Sequence, residues 1–369
     1  MHQPVPQLRH TLILLLLAAT TWSGASGAGQ DGRSAPVSDR PAAVLLAQAG
    51  AARPAAAAVQ ADLEALIKGA RAEGEVTFYI ALVESVGKRA ADGFSAKYGV
   101  RAQFVRLVSA VMAQRYMAEA EAGNIAADLL FIPGTPAAFI NNGVPKGWIE
   151  PISRAALPVM ASGEYPARMS DGNTAIVQVA PWTIAYNSQK VKGADVPKDW
   201  SDLLNPKWKG EILVSDTGVG TVYAEFWIFI HDKYGEAYFK QILPNLRRYP
   251  GGVQAIQSLA AGEGSFQLPV PIALAQGPRD KGAPLAWVIP DVNTGLETHV
   301  ALTARAMAKH PNAARLLANY VLSPEGNKVF NNEPGGVTIY DTAGLPKQYE
   351  SPKPGAAARV KEMATKLGY

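Results

Sequence analysis

Residues 180–221 read APWTIAYNSQKVKGADVPKDWSDLLNPKWKGEILVSDTGVGT. A short apolar run, Trp182 to Tyr186, ends in a polar turn. Residues 197–204 (PKDWSDLL) have the form of a helix start. Pro206-Lys207-Trp208-Lys209-Gly210 follows, and then the apolar strand Ile212 to Ser215. The strand runs into Asp216-Thr217-Gly218-Val219-Gly220-Thr221, and a helix is predicted from Thr221 to Ile230. The two glycines let the backbone approach a ligand closely, and Thr217 and Thr221 add hydroxyls; Asp216 is expected to cap the helix rather than face such a ligand. The fragment GVGTVY is also a partial dinucleotide fingerprint, but Tyr223 stands where the third glycine belongs, so that reading is weak.

Strand and helix periods alternate on both sides of this stretch. Upstream, a helix is expected over Asp62–Glu73, a strand over Val76–Ile80, a helix over Lys88–Tyr98 stopped by Gly99, and a strand over Arg101–Leu107. Ser109 stands where an N-cap belongs, before a helix over Val111–Ala122, and Asp128–Ile132 is a strand ending at Pro133-Gly134-Thr135. Residues 176–186 hold two apolar pieces broken at Pro181, a chain crossing between domains. Downstream, helices are predicted over Gly235–Leu243, Val253–Ala261, Ala313–Leu322 and Ala356–Leu367, with strands at Phe266–Val270 and Trp287–Pro290. Strands separated by helices of about 10–15 residues imply parallel βαβ units and an α/β fold.

The bulk properties narrow the function. With 369 residues, 48% of them apolar, the chain is long enough for two domains with a sizeable core. Arg9 and the apolar run Leu12–Ala19, followed by small residues up to Ala28, form a Sec-type signal peptide, expected to be cleaved after about residue 27. Residues 28–58, rich in Ala, Gly, Pro and Ser, read as a disordered lead-in. With no cysteine there is no lipid anchor through cysteine, no disulfide and no thiolate metal site. The net charge of +4 is spread along the chain without a basic block, which argues against a nucleic-acid partner. No further run is long enough to span a bilayer.

The order of residues 180–221, together with GEVTFYIA (74–81), QSLAAGEGSFQL (257–268), GAPLAWVIPD (282–291) and AARLLANYVLSPEGNKVF (313–330), resembles the type 2 periplasmic solute-binding proteins of ABC importers, the group that contains the ferric-iron, thiamine and phosphonate binders. The resemblance implies two α/β lobes joined by crossing strands, a Venus flytrap of residues 59–178 plus 274–330 and residues 179–273 plus 331–369, with ligand caught in the cleft. It implies a small-molecule ligand, an ABC permease and its ATPase as partners, a periplasmic monomer, and no cofactor.

In such sheets ligands sit beyond the C-terminal ends of strands, where helix N-termini offer unpaired N–H groups. The expected ligand-binding positions are therefore Ala81 and Ser85 after the first strand, Ser109 and Ala110, Gly134 and Thr135, then Thr217, Gly218, Val219, Gly220 and Thr221 from the second lobe. Trp182 lies at the crossing, as a ligand cover or as hinge packing, and Pro269 and Val270 mark the return into the cleft. The expected cargo is a small organic anion: a carboxylate, phosphonate or phosphate ester. The alternative is ferric iron or an iron complex, for which Tyr186, Tyr223 and Tyr340 would have to converge, because Pro269-Val270-Pro271-Ile272 stands where iron binders carry a tyrosine pair. Catalysis is not expected: His231, His299 and His310 are scattered, and neither H-E-x-x-H nor G-x-S-x-G occurs.

Overall fold

The β-rich and helix-period segments fold as alternating elements, and a computed structural model describes residues 42–353 and 357–369. The chain divides into two units, residues 1–49 and 50–369. Of the first, only the opening turns of a helix are described; all the strands belong to the second. The signal peptide and the lead-in up to residue 41 lie outside the described residues. That helix, α1 (Ala42–Glu73), begins well ahead of the expected start at Asp62. In chain order there follow β1 (Glu75–Ile80), α2 (Glu84–Tyr98), β2 (Arg101–Arg106), α3 (Ser109–Glu121), β3 (Leu129–Pro133), α4 (Ala137–Gly143), β4 (Ile149–Glu150), α5 (Pro158–Ala161) and β5 (Ala175–Pro181). Next come β6 (Thr183–Asn187), β7 (Ile212–Ser215), α6 (Thr221–Ile242), β8 (Leu246–Tyr249), α7 (Gly252–Ala260), β9 (Phe266–Val270), α8 (Ile272–Asp280) and β10 (Leu285–Val288). The last elements are β11 (Val292–Asn293), β12 (Gly295–Thr303), α9 (Pro311–Leu322), α10 (Pro324–Phe330), β13 (Gln348–Tyr349) and α11 (Ala357–Leu367).

Two large sheets result, each the centre of a lobe, and β11 pairs with β13 in a separate two-stranded sheet. The first has the order β2-β1-β3-β12-β4 with β5 also paired to β12; the second runs β10-β6-β9-β7-β8. The βαβ units make β1, β2 and β3 parallel, and likewise β7, β8 and β9, while β12, β6 and β10 enter antiparallel. The chain passes between the sheets at Trp182, between the end of β5 and the start of β6, and returns at residues 292–295. The two passages lie side by side: Trp182 N–H donates to the Thr294 carbonyl at 3.0 Å, and Asn293 Nδ2 donates to the Trp182 carbonyl at 2.9 Å. This is the crossing-strand, two-lobe type 2 architecture. Strand β10 pairs with β6, so residues 285–288, expected with the first lobe, sit in the second sheet.

The cores are aromatic. Phe78, Phe94, Phe131, Tyr320 and Phe330 fill the first lobe and Trp200, Phe226, Trp227 and Phe239 the second, all fully buried. Ring pairs such as Trp200–Phe226, with centroids 5.0 Å apart and edge-to-face, add to the area term. The two helices expected over 221–230 and 235–243 form one run, α6, broken at Gly235, whose φ of 74° only glycine adopts readily. Among the described residues no helix is long and apolar enough to cross a membrane.

Candidate functional site: an interlobe cleft

Parallel strands of both sheets point their C-terminal ends at one cavity of about 500 Å³. From the first lobe come Ala81–Val83 after β1, Arg106 at the end of β2 and Val108 and Ser109 beyond it, and Pro133 at the end of β3. The second lobe contributes Val219 and Gly220 after β7, residues 250–254 after β8, and residues 271–274 after β9. The crossing supplies the floor: Gln178, Ala180, Trp182 and Leu296, with Glu333 beside them.

Five helices begin on this cavity. The N-cap residues of α2, α3, α6, α7 and α8 are Val83, Val108, Gly220, Gly251 and Pro271; all five line it, and none of the five helices has a side-chain cap. Side-chain caps are scarce elsewhere too: α4, α5 and α9 lack one, whereas at the start of α10 Ser323 Oγ accepts from Gly326 N–H. What sets the five apart is that they converge on one cavity. The first turn of each uncapped helix leaves N–H donors unpaired and carries the positive end of the peptide dipoles. The N-termini of α3 and α6 lie close together, since a Cβ on Gly220 would lie 3.6 Å from Ser109 Oγ. Two positive dipole ends brought this close repel unless negative charge lies beside them.

Arg106 adds a full charge. Its Nε donates to the Leu82 carbonyl at 2.9 Å, which orients the guanidinium, and among the described residues it has no carboxylate partner. Most of the remaining lining is apolar. Trp182, 2% exposed, stacks on Tyr223 with centroids 6.3 Å apart and planes at 26°. The Tyr223 hydroxyl lies over the start of α7, where a Cβ on Gly252 would come within 2.8 Å of it. Burial pushes the Tyr223 hydroxyl up in pKa, so it stays a donor.

Of the positions singled out in the sequence, Ala81, Ser109, Trp182, Val219 and Gly220 line this cavity, whereas Ser85, Ala110, Thr217, Gly218, Thr221, Pro269 and Val270 do not. Ser109 is the first helical residue rather than the N-cap, a place Val108 takes. Asp216 caps, as expected, but it caps the short turn Thr217–Val219, accepting from Gly218 N–H at 2.7 Å. Pro269 and Val270 are buried inside β9, and the cleft is reached only from Pro271 onward. Arg106 and the Gly251-Gly252 turn escaped the sequence reading, and Tyr223 entered it only as one of three tyrosines that iron would need to converge. Arg106 and the turn lie at the C-terminal ends of parallel strands, the signal that pointed to Ala81 and Gly134.

Gly134 and Thr135 turn instead to a neighbouring cavity of about 350 Å³, shared with Asp171, Glu297 and His299. Thr135 is engaged with Glu225 of α6: its N–H donates to Oε1 at 3.3 Å and its hydroxyl donates to the same oxygen. Thr221 also donates to Glu225. This contact ties the first lobe to the second.

Glu225 and Glu297 are both buried, and neither has a cationic partner among the described residues. Burial raises the carboxyl pKa of each, and Glu297 raises that of Glu225 further, against the hydrogen bonds each accepts. A carboxyl raised in the folded state stabilises below its ordinary value, 4.5, and that contribution is lost as pH climbs through the raised value. His299, held down to about 4 by burial, acts in the opposite sense between 6.5 and 4. The informative quantity is therefore the difference between Glu225→Gln and the parent. In thermal melts from pH 4.5 to 8 the variant should gain on the parent as pH rises, and a constant difference would show that Glu225 does not titrate there.

The comparisons with known proteins agree with this architecture. Residues 125–354 match the family described as bacterial extracellular solute-binding protein. A Haemophilus influenzae protein of uncharacterised function is 27% identical over 271 residues, covering 70% of this chain and 76% of its own. Among solved structures, the periplasmic binding protein AfuA from Actinobacillus pleuropneumoniae, with fructose-6-phosphate bound, is similar at a TM-score of 0.56 and 23% identity over 69% of this chain and 81% of that one. Iron-bound HitA from Pseudomonas aeruginosa is similar at a TM-score of 0.61 and 18% identity over 80% and 99%. Two lobes, crossing strands and a cleft ringed by strand ends go with the family match: the chain belongs to the bacterial extracellular solute-binding proteins, which capture ligands and do not catalyse reactions.

Proposed function

We propose that the protein captures a small organic anion, a carboxylate, phosphonate or phosphate ester, in the interlobe cleft of the periplasmic component of an ABC importer, and delivers it to the permease. The observation that carries this reading is the ring of five uncapped helix N-termini around a cavity that also holds Arg106, which has no carboxylate partner among the described residues. Each N-terminus favours an anion by a few tenths to about 1 kcal/mol, and several converging on one cavity exceed what one offers. The apolar lining and the Trp182–Tyr223 stack suit an organic body behind the charged head.

Ferric iron fits the donor set less well. The lining offers one tyrosine, Tyr223, and one carboxylate, Glu333, which is already paired with Arg89 at 2.9 Å. The Fe(3+)-binding periplasmic protein of Serratia marcescens is 23% identical over 53% of this chain, so iron belongs in the test.

The experiment is a thermal-shift screen of refolded protein against phosphate monoesters, phosphonates, carboxylates and ferric citrate, followed by calorimetry. A compound at 100 times its Kd should stabilise by about 2.7 kcal/mol. Arg106→Ala should weaken the anion that binds by about 1.5–3 kcal/mol, the size of a hydrogen bond to a charged group. A shift with ferric citrate alone, accompanied by a tyrosinate absorption band, would overturn the anion reading.

A further inference from the structure

The cleft has a second polar pole. Glu333 lines it, although every helix that begins there favours negative charge and a carboxylate would oppose the cargo unless it served some other purpose. Its side chain is only 8% exposed and is held from behind. Arg89 of α2 donates to Oε2 at 2.9 Å, and Gln178 Nε2, from the cleft floor, donates to Oε1 at 3.0 Å. Gln178 is fixed in turn by Thr298, whose hydroxyl donates to its Oε1 at 3.5 Å. Each carboxylate oxygen has two lone-pair sites, so one partner apiece leaves acceptor capacity on the cavity side. Arg89 offsets the charge, which makes the group tolerable near an anion while it still accepts hydrogen bonds. An ion pair serving only to tie α2 to the segment after α10 would have no need to line the cleft or to enlist a second lining residue.

The sheet order separates this pole from Arg106. Arg106 ends β2 and Gln178 lies on β5, with β1, β3 and β12 between them. Four strand spacings put their backbones roughly 19 Å apart, and both side chains reach into the same cavity. We infer that Glu333, positioned by Arg89 and Gln178, accepts a hydrogen bond from a hydroxyl or ammonium group at the far end of the cargo, so that the ligand class is an organic anion carrying a terminal donor. This rests on the anion reading above.

Alkyl phosphates of two to six carbons ending in methyl, hydroxyl or ammonium, titrated by calorimetry into the full chain, test it. A carboxylate buried against a methyl group loses a partner it had in water. At one chain length or more, the hydroxyl- or ammonium-ended compound should bind at least about tenfold tighter than the methyl-ended one. Glu333→Ala should erase that ratio while methyl-ended binding persists, and Glu333→Gln, which keeps an acceptor oxygen, should keep part of it. Should Glu333→Ala fail to fold, the ratio in the parent protein and in Glu333→Gln still decides. Preference for ammonium over hydroxyl would name the donor as cationic; equal affinity for both would name it as any donor. Equal binding of methyl- and donor-ended compounds at every length overturns this inference and leaves the anion reading standing. No binding by any alkyl phosphate, with another anion class stabilising the protein, moves the head group elsewhere and removes the inference with it.

Discussion

Replacing Gly134 with alanine should weaken ligand binding by about 1–3 kcal/mol, the cost of an overpacked contact between the lobes, and should lower stability by about a further 1–2 kcal/mol through a left-handed backbone penalty. Gly134 has φ of 76°, and a Cβ there would lie 2.4 Å from Cγ1 of Val222 on α6, with Glu225 Oε2 at 3.2 Å and Thr221 Oγ1 at 3.5 Å. The two parts separate. The backbone penalty applies whether the lobes are together or apart, so it lowers the melting temperature and leaves affinity alone. The clash exists only when the β3–α4 turn of the first lobe meets α6 of the second, so it opposes closure and appears in the Kd. Val222→Ala in the Gly134→Ala background should therefore restore much of the affinity and little of the melting temperature. If affinity is unchanged while the melting temperature falls, the Gly134–Val222 contact plays no part in the ligand-bound arrangement.

The elements legible in the sequence were those whose pattern is local. Strand Phe266–Val270 and strand Ile212–Ser215 have the expected limits, and the helix ending at Tyr98 stops at Gly99. Strand β12 was missed. It is buried along nearly its whole length, yet GLETHVALT carries Glu, Thr and His in its middle and shows no alternation to read. Those polar groups are satisfied by partners remote in the chain: Tyr349 for Glu297, Gln178 for Thr298 and Thr174 for His299. Strand β8 (Leu246–Tyr249) was hidden by two arginines, and α8 by the Gly277-Pro278 pair inside it. At the site, the principle that ligands lie beyond strand ends led to the right loops but could not choose residues within them. Thr135 and Thr221 sit in those loops and spend their hydroxyls on Glu225, a partnership between lobes that no local pattern encodes. Glu333 could not be reached by any strand-end argument, since it follows a helix and enters the cleft because the 331–337 segment folds back onto β5, with Val337 paired to Val179.

Trp182→Ala should have the largest effect on stability, and comparison with Trp182→Phe decides what the residue is for. The side chain is 2% exposed, stacked on Tyr223 and edge-on to Phe226 at 6.4 Å, and its backbone holds both crossing passages together through Thr294 and Asn293. Truncating a buried tryptophan costs about 3–5 kcal/mol, part of it for the cavity left behind. Here that cavity would open into the cleft and fill with water, which places the loss toward the lower end of the range. Phenylalanine keeps a ring against Tyr223 and most of the buried area, so Trp182→Phe should recover more than half of the melting temperature lost by alanine. Affinity need not follow. If Trp182 only packs the crossing, Phe restores binding in step with stability. If the ring covers the cargo, the smaller Phe face leaves part of the ligand's apolar body against water, and binding stays weakened by about 1 kcal/mol for roughly 40 Å² of apolar surface left uncovered. Calorimetry on the two variants, at a temperature where both are folded, separates the outcomes. A Phe variant with recovered stability and parental affinity would assign Trp182 to the hinge and leave the Tyr223 face as the apolar wall of the cleft.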